Sequence, residues 1–162
     1  MSNLQFQDCD QTIVFEGSEG MTLVFDGVPG PQGEADKRIG GALLTDPGAG
    51  LMVTGTSVAI MRIPSDLNGM SLVEVGACCH TAGNSGTTGV QIRRVRAGAS
   101  VDMLSTGITI DSNETDSSTA ATPAVINSAN RSVQTGDQIH FDITSVSSGA
   151  IGVFVSFTFD TI

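Results

Sequence analysis

The chain has no tryptophan, no tyrosine, one lysine (Lys37) and two histidines among 162 residues. Each scarcity narrows what it does. Without large amphipathic rings it lacks the usual stacking platforms of a glycan site or a single-strand nucleic-acid groove. Seven basic residues against seventeen acids leave a formal net charge of −10, so there is no cationic footprint for a phosphate backbone or an anionic lipid surface. Neither nucleic acid nor membrane is an expected partner. There is no His-Glu-x-x-His, no Gly-x-Ser-x-Gly and no phosphate-loop pattern. Cysteine is scarce as well: Cys9, Cys78 and Cys79 are odd in number and do not have the spacing of a disulfide framework. Small buried thiols, in a chain made in a reducing cytoplasm, are expected. No basic segment followed by an apolar stretch opens the chain, and no apolar run reaches membrane-spanning length, so export by the usual route is not expected.

What is abundant is glycine, at 20 residues, together with small and β-branched side chains. That is the profile of short strands joined by Gly/Ser/Thr/Asn turns. Strands are expected at "LMVTG", "SVAIMRIP", "MSLVEVGACCHT", "TTGVQIRRVR", "MLSTGITID", "AVIN", "QIHFDITSV" and "IGVFVSFTF". In "QIHFDI", Ile139, Phe141 and Ile143 alternate with Gln138, His140 and Asp142, one buried face and one wet. In the last segment Ile151, Val153, Val155, Phe157 and Phe159 share a face, leaving Phe154 on the other with Gly152, Ser156 and Thr158. No segment has a helical period, and Pro123 limits "SSTAATPAVINSAN" to a short helical turn. The expected fold is all-β: an antiparallel β-sandwich of the jelly-roll kind over 51–162, a linker at 36–50, and an N-terminal arm over 1–35.

The arm differs from the body in charge and pattern. Residues 1–36 hold seven acids and no Lys or Arg, −7 of the total −10. "TIVFEGSEGM" is followed directly by "TLVFDGVPGP", a ten-residue repeat of a short strand and a Gly turn. Phe15 and Phe25, flanked by Glu16, Glu19 and Asp26, need something to pack on: the body, another copy, or a partner. Gly27, Gly30 and Gly33 then open three Gly-X-Y triplets that contain Pro29 and Pro31. Glycine recurs every third residue in a triple helix because three chains crowd one axis. Three triplets cannot hold a trimer alone, but they could thread the axis of one already held by its bodies. A Pro/Gly linker with coincidental spacing is the alternative.

Few residues carry chemistry. His80 follows the cysteine pair, but "CCH" lacks a fourth metal ligand at usable spacing. "DSNETD" at 111–116 gathers oxygen ligands without the glycine and distal glutamate of an EF-hand loop, and reads as an exposed acidic turn sooner than a Ca²⁺ site. Arg93, Arg94 and Arg96 crowd one strand, with Arg93 and Arg94 on opposite faces. They read either as a subunit or arm contact made through Arg–carboxylate pairs, or as a solvated strand end. No catalytic residue, cofactor site or metal site is assigned.

"RIPSDLNGM", "TIDSNETDSSTAATPAVI" and "TGDQIHFDI", with Gly-Pro-Gln-Gly at 30–33, resemble the C-terminal β-domain of tailed-bacteriophage virion proteins, the head fibres, capsid decoration (cement) proteins and tail fibres. The likeness runs over roughly residues 45–160. It implies a homotrimeric β-sandwich on a virion surface, fixed through its N-terminus to the major capsid protein or another virion protein. The short acidic arm departs from the long shaft of a tail fibre and favours a compact shell protein. A tail-fibre tip recognising a host surface glycan or protein is the alternative. On this reading Phe15, Glu16, Glu19, Phe25 and Asp26 are the expected virion contacts, Gly27, Pro29, Gly30, Pro31 and Gly33 the axial segment, and Arg93, Arg94, Arg96 and Phe154 the subunit interface.

Overall fold

The computed structural model describes residues 37–162 and the backbone of two short strands, β1 (Gln7–Asp8) and β2 (Gln11–Thr12), which pair antiparallel. The chain divides into two units, Met1–Ala35 and Asp36–Ile162. β1 and β2 belong to the first, and every other element belongs to the second. The arm residues singled out above, from Phe15 to Gly33, lie outside the described residues.

The second unit is an antiparallel β-sandwich. Its strands are β3 (Arg38–Leu43), β4 (Gly55–Arg62), β5 (Ser71–Thr81), β6 (Thr88–Arg96), β7 (Ala99–Asp102), β8 (Leu104–Thr106), β9 (Ile108–Ile110), β10 (Val125–Ile126), β11 (Gln138–Ser145) and β12 (Ile151–Asp160). One sheet runs β4-β11-β6, with β7 and then β9 sharing the fourth place beside β6; the other runs β3-β12-β5. Consecutive strands β3 and β4, β5 and β6, and β11 and β12 each cross from one sheet to the other, the wrapping of a jelly roll. β8 and β10 form a small separate ladder. Where a fourth strand would flank β5, loop backbone stands instead: Cys79 N–H donates to Thr115 O (2.8 Å) and Leu72 N–H to Arg131 O (2.9 Å).

The core lies between the sheets. Val90, Ile92, Ile139, Phe141 and Ile143 face Leu72, Ala77, Val153, Val155, Phe157 and Phe159, all buried. Phe141 stacks on Phe157 across the layers with ring centroids 5.8 Å apart, and Phe159 meets Phe157 edge-on at 5.6 Å. The alternation expected for β11 and β12 faces the core as read, with Ile151 half-buried, but Gly152, Thr158 and Asp142 of the opposite faces, the last expected on the wet face, are buried as well.

Three expectations for the elements are corrected. "LMVTG" is no strand until Gly55, and "MLSTGITID" divides into β8 and β9 at Gly107, whose missing Cβ would stand 2.9 Å from Val90 O. The linker expected at 36–50 contains β3, an edge strand of the sandwich. Within it each glycine of the Gly40-Gly41 pair admits an aromatic ring. A Cβ on Gly40 would lie 2.4 Å from Phe157 Cε2 on the inner face, and one on Gly41 2.1 Å from Phe154 Cζ on the outer face. Asp46-Pro47-Gly48 enters a 3-10 turn over Pro47–Ala49, and the Asp46 carboxylate caps it by accepting from Gly48 N–H (2.7 Å). Likewise a single 3-10 turn, Ser117–Thr119, lies in the stretch around Pro123.

Candidate functional site

The two outward sheet faces hold the candidate sites, and both follow from register. On the four-stranded sheet Ile60, His140, Arg93 and Asp102 stand in one row. Two steps along β11 answer four along β4, since Phe141 faces Ala59 and Ile143 faces Gly55. The resulting bulge holds Ser57 at φ +54°. A bulge re-aims side chains, and a non-glycine residue in this region carries strain that neighbours must hold in place. Here Ser57 N–H donates to Asp142 Oδ1 (2.6 Å), and its Oγ bonds His140 Nδ1 (2.8 Å). His140 Nε2 meets Gln138 Oε1 at 3.2 Å. Because that oxygen only accepts, the network assigns the proton to Nε2 and leaves Nδ1 to accept from the Ser57 hydroxyl.

Arg93 closes this cluster. Its guanidinium grips Asp142 through Nε and Nη2, the latter at 2.9 Å, and reaches Ser57 Oγ at 3.2 Å and Ser100 Oγ at 3.0 Å. Burial pushes the Asp142 carboxyl up, but the Arg93 and Ser57 hydrogen bonds and the nearby positive charge together hold it below the usual range. A serine hydroxyl donating to an imidazole is the starting geometry of nucleophilic catalysis. Here a guanidinium also donates to the same oxygen, and the bonds together hold the bulge in place.

Arg94 and Arg96 point the other way and close one end of the sandwich. Arg96 forms a two-pronged pair with Asp137, Nε to Oδ1 at 2.8 Å and Nη2 to Oδ2 at 2.7 Å, and this pair keeps the Asp137 carboxyl below its ordinary range. Arg94 donates to Asn130 O (3.1 Å) and to Ser132 O, while its buried Nε has no partner among the described residues. Burial, then the like charge of Arg96, lowers its guanidinium from the ordinary value. The three arginines expected at a subunit contact thus make their described bonds within the sandwich.

The outward face of the β3-β12-β5 sheet is different. Its rows are Leu43–Phe154–Cys78, Gly41–Ser156–Gly76 and Ile39–Thr158–Glu74. Ile39 is 83% exposed, Leu43 55% and Phe154 41%. The Phe154 ring leans along β12 over Gly41, which has no side chain to prevent it. Glu74 is the one acid in these rows, and its Oε2 accepts from Thr158 Oγ1 at 3.3 Å. The face itself forms an open concavity of about 600 Å³, lined by Ile39, Glu74, Ser156 and Phe154 and walled by Asp116 and Pro123.

The remaining sequence candidates have local roles. Asp111 caps Ala121 N–H (2.8 Å), Asp116 caps Ser118 N–H (2.7 Å) and Glu114 accepts from Thr119 Oγ1 (2.7 Å), so the 111–116 loop turns its carboxylates inward to its own backbone and hydroxyls. No cluster of metal-ligating side chains occurs among the described residues. Cys78 is exposed and Cys79 buried, the opposite-face arrangement expected of strand neighbours, and burial raises the Cys79 thiol. Ile39, Leu43 and Ser57 were missed in sequence. The i, i+4 spacing of Ile39 and Leu43 across two glycines was their only signal. Comparison with protein-family models, with characterised proteins and with solved structures returns no match.

Proposed function

We propose that this chain is a structural protein of a tailed-phage virion, a homotrimeric capsid decoration or short head-fibre protein. Residues 1–35 attach it to the shell and the sandwich projects outward on the virion surface. The observation that carries the reading is the continuity of arm and body. The Gly-X-Y triplets run almost directly into β3, and β3 borders the outward face where Ile39, Leu43 and Phe154 are exposed together. Exposed apolar side chains gathered on one sheet face mark a contact surface. The imbalance of charge supports a division of labour: −7 resides in the first 36 residues, so the arm is suited to a basic patch on a shell protein while the body remains close to neutral. The sequence likeness to virion β-domains names the kind of particle.

Co-sedimentation with empty capsids tests this. The full chain is expected to pellet with shells, and a chain lacking residues 1–35, which keeps the compact unit Asp36–Ile162, is expected to stay in the supernatant. A truncated chain that still pellets removes the anchor role. A full chain that ignores shells but binds host cells supports the receptor-binding alternative.

A further inference from the structure

We propose that the bulge at Ser57 guards the free edge of β4, bending the strand out of the extended form in which β4 of a second copy would add to the four-stranded sheet. The guard is independent of the virion role proposed above.

A sheet edge offers unpaired N–H and C=O groups to any extended strand, and folded proteins blunt it by shortness, charge, cover or a bulge. Most edges of this sandwich are blunted in plain ways. β7 and β9 have four and three residues. β5 is covered by the backbone at Thr115 and Arg131. β3 begins with Arg38 and is interrupted by Gly40-Gly41, poor strand formers. β4 has none of these devices, and among the described residues only β11 pairs with it. Its eight residues, GTSVAIMR, contain no acid and no proline, and the one charge, Arg62, stands at the end. Val58 and Ile60 are exposed along it. A β-prone run of low charge is the kind of segment most ready to pair with its own copy. Laid antiparallel on itself, it sets each Arg62 beside Gly55 of the other copy, so the like charges stay at opposite ends.

Ser57 stands in the way of that pairing. At φ +54° its backbone is not extended, and a regular ladder does not pass through it. The two strands behind the edge enforce the bend. From β11, Asp142 Oδ1 accepts Ser57 N–H (2.6 Å) and His140 Nδ1 meets Ser57 Oγ (2.8 Å). From β6, Arg93 Nη2 donates to Ser57 Oγ (3.2 Å) and to Asp142 Oδ1 (2.9 Å), while its Nε holds Asp142 Oδ2. Straightening β4 would break the bonds to Ser57, so the edge stays bent while the cluster is intact. Asp142 is only 7% exposed, and burying an acid carries a desolvation cost that a core gains nothing from. Holding the edge strand out of line gives that buried acid a role.

Light scattering after size-exclusion chromatography of the full chain, together with hydrogen exchange of the β4 amides, tests the guard. The variants are Ser57→Val, Ser57→Gly and Ser57→Val combined with Ile60→Lys. Valine disfavours a positive φ and prefers extended backbone, whereas glycine holds φ +54° without strain. Ser57→Val is expected to form species larger than wild type at roughly tenfold lower protein concentration, with β4 amides exchanging about tenfold more slowly. Ser57→Gly should match wild type in size. Lysine at position 60 should return Ser57→Val to that size, because a charge on the edge blocks strand addition. Ser57→Val at wild-type size, association indifferent to the lysine, or Ser57→Gly associating as readily as Ser57→Val would each overturn the guard. Should Ser57→Val fail to fold, Ser57→Ala takes its place. Alanine lacks the hydroxyl, as glycine does, but bears the strain that glycine avoids, so it should associate where glycine does not. Equal behaviour of Ser57→Ala and Ser57→Gly overturns the guard as well.

Discussion

On the four-stranded sheet the outward row Ile60–His140–Arg93–Asp102 is held by internal hydrogen bonds; on the three-stranded sheet the row Leu43–Phe154–Cys78 is held by little besides a ring lying on a glycine. Both faces enclose the same core, yet their polar groups are used differently. The Arg93–Asp142 pair and the Ser57 bulge make the first face part of the stability of a single chain. The second face has fewer charged groups and exposes Ile39, Leu43 and Phe154, where the first exposes Ile60 and Val58. This contrast is what substitutions can break or sharpen.

The largest effect belongs to the polar face. Asp142→Ala leaves the Arg93 guanidinium and the Ser57 N–H without their acceptor and should lower unfolding free energy by roughly 3 kcal/mol. Urea denaturation at fixed protein concentration reads it, and a loss below about 1 kcal/mol would mean water replaces the carboxylate. Acid has the same target. Asp137 and Asp142 both have carboxyls held below their ordinary value of 3.8 in the folded state. A depressed folded value means that the unfolded chain takes up protons first. Their contribution is thus complete above about pH 5 and is lost as pH falls through and below the ordinary carboxylate range. The melting temperature should fall between about pH 5 and pH 2, and Asp142→Ala should flatten that fall. A variant as acid-sensitive as wild type would place the linkage elsewhere.

Gly41→Ala perturbs the apolar face from beneath. The added Cβ displaces the Phe154 ring from β3, a movement of a flexible side chain that should cost about 1 kcal/mol of body stability. The same urea denaturation reads it. The smallest effect is expected for Ile60→Asp, which lies 58% exposed on the polar side and should stay within about 0.5 kcal/mol of wild type in the same denaturation assay. A large loss there would dissolve the distinction between the faces.

Strand alternation made much of this fold legible in sequence. Ile139, Phe141 and Ile143, and Val153, Val155, Phe157 and Phe159, announce a core face because a period of two has one physical meaning. Phe154 was legible for the same reason, as the aromatic side chain out of step. What escaped depends on partners distant in sequence. Gly40-Gly41 reads as part of a linker until Phe157 and Phe154, more than a hundred residues later, are seen lying on either side of it. Asp142 reads as a wet residue because nothing nearby reveals that a bulge in β4 will fold over it. The arginines of β6 were visible as a cluster, but their carboxylate partners Asp137 and Asp142 lie about forty to fifty residues away. Pairing of that range is a property of topology.

The antiparallel register of β3 and β12, with Arg38 opposite Phe159 and Leu43 opposite Phe154, has a practical consequence for engineering. The strand that begins the sandwich and the strand that finishes it have their outer termini side by side. A peptide fused after Ile162 would emerge next to the point where the chain enters β3. The opposite end carries the connections 82–87 and 146–150, tied by the Ser85–Ser148 bridge and turned at Gly149 with φ +80°. Cargo meant for display would be grafted at 148–149, where the chain already reverses at the end of the body opposite Arg38 and Phe159.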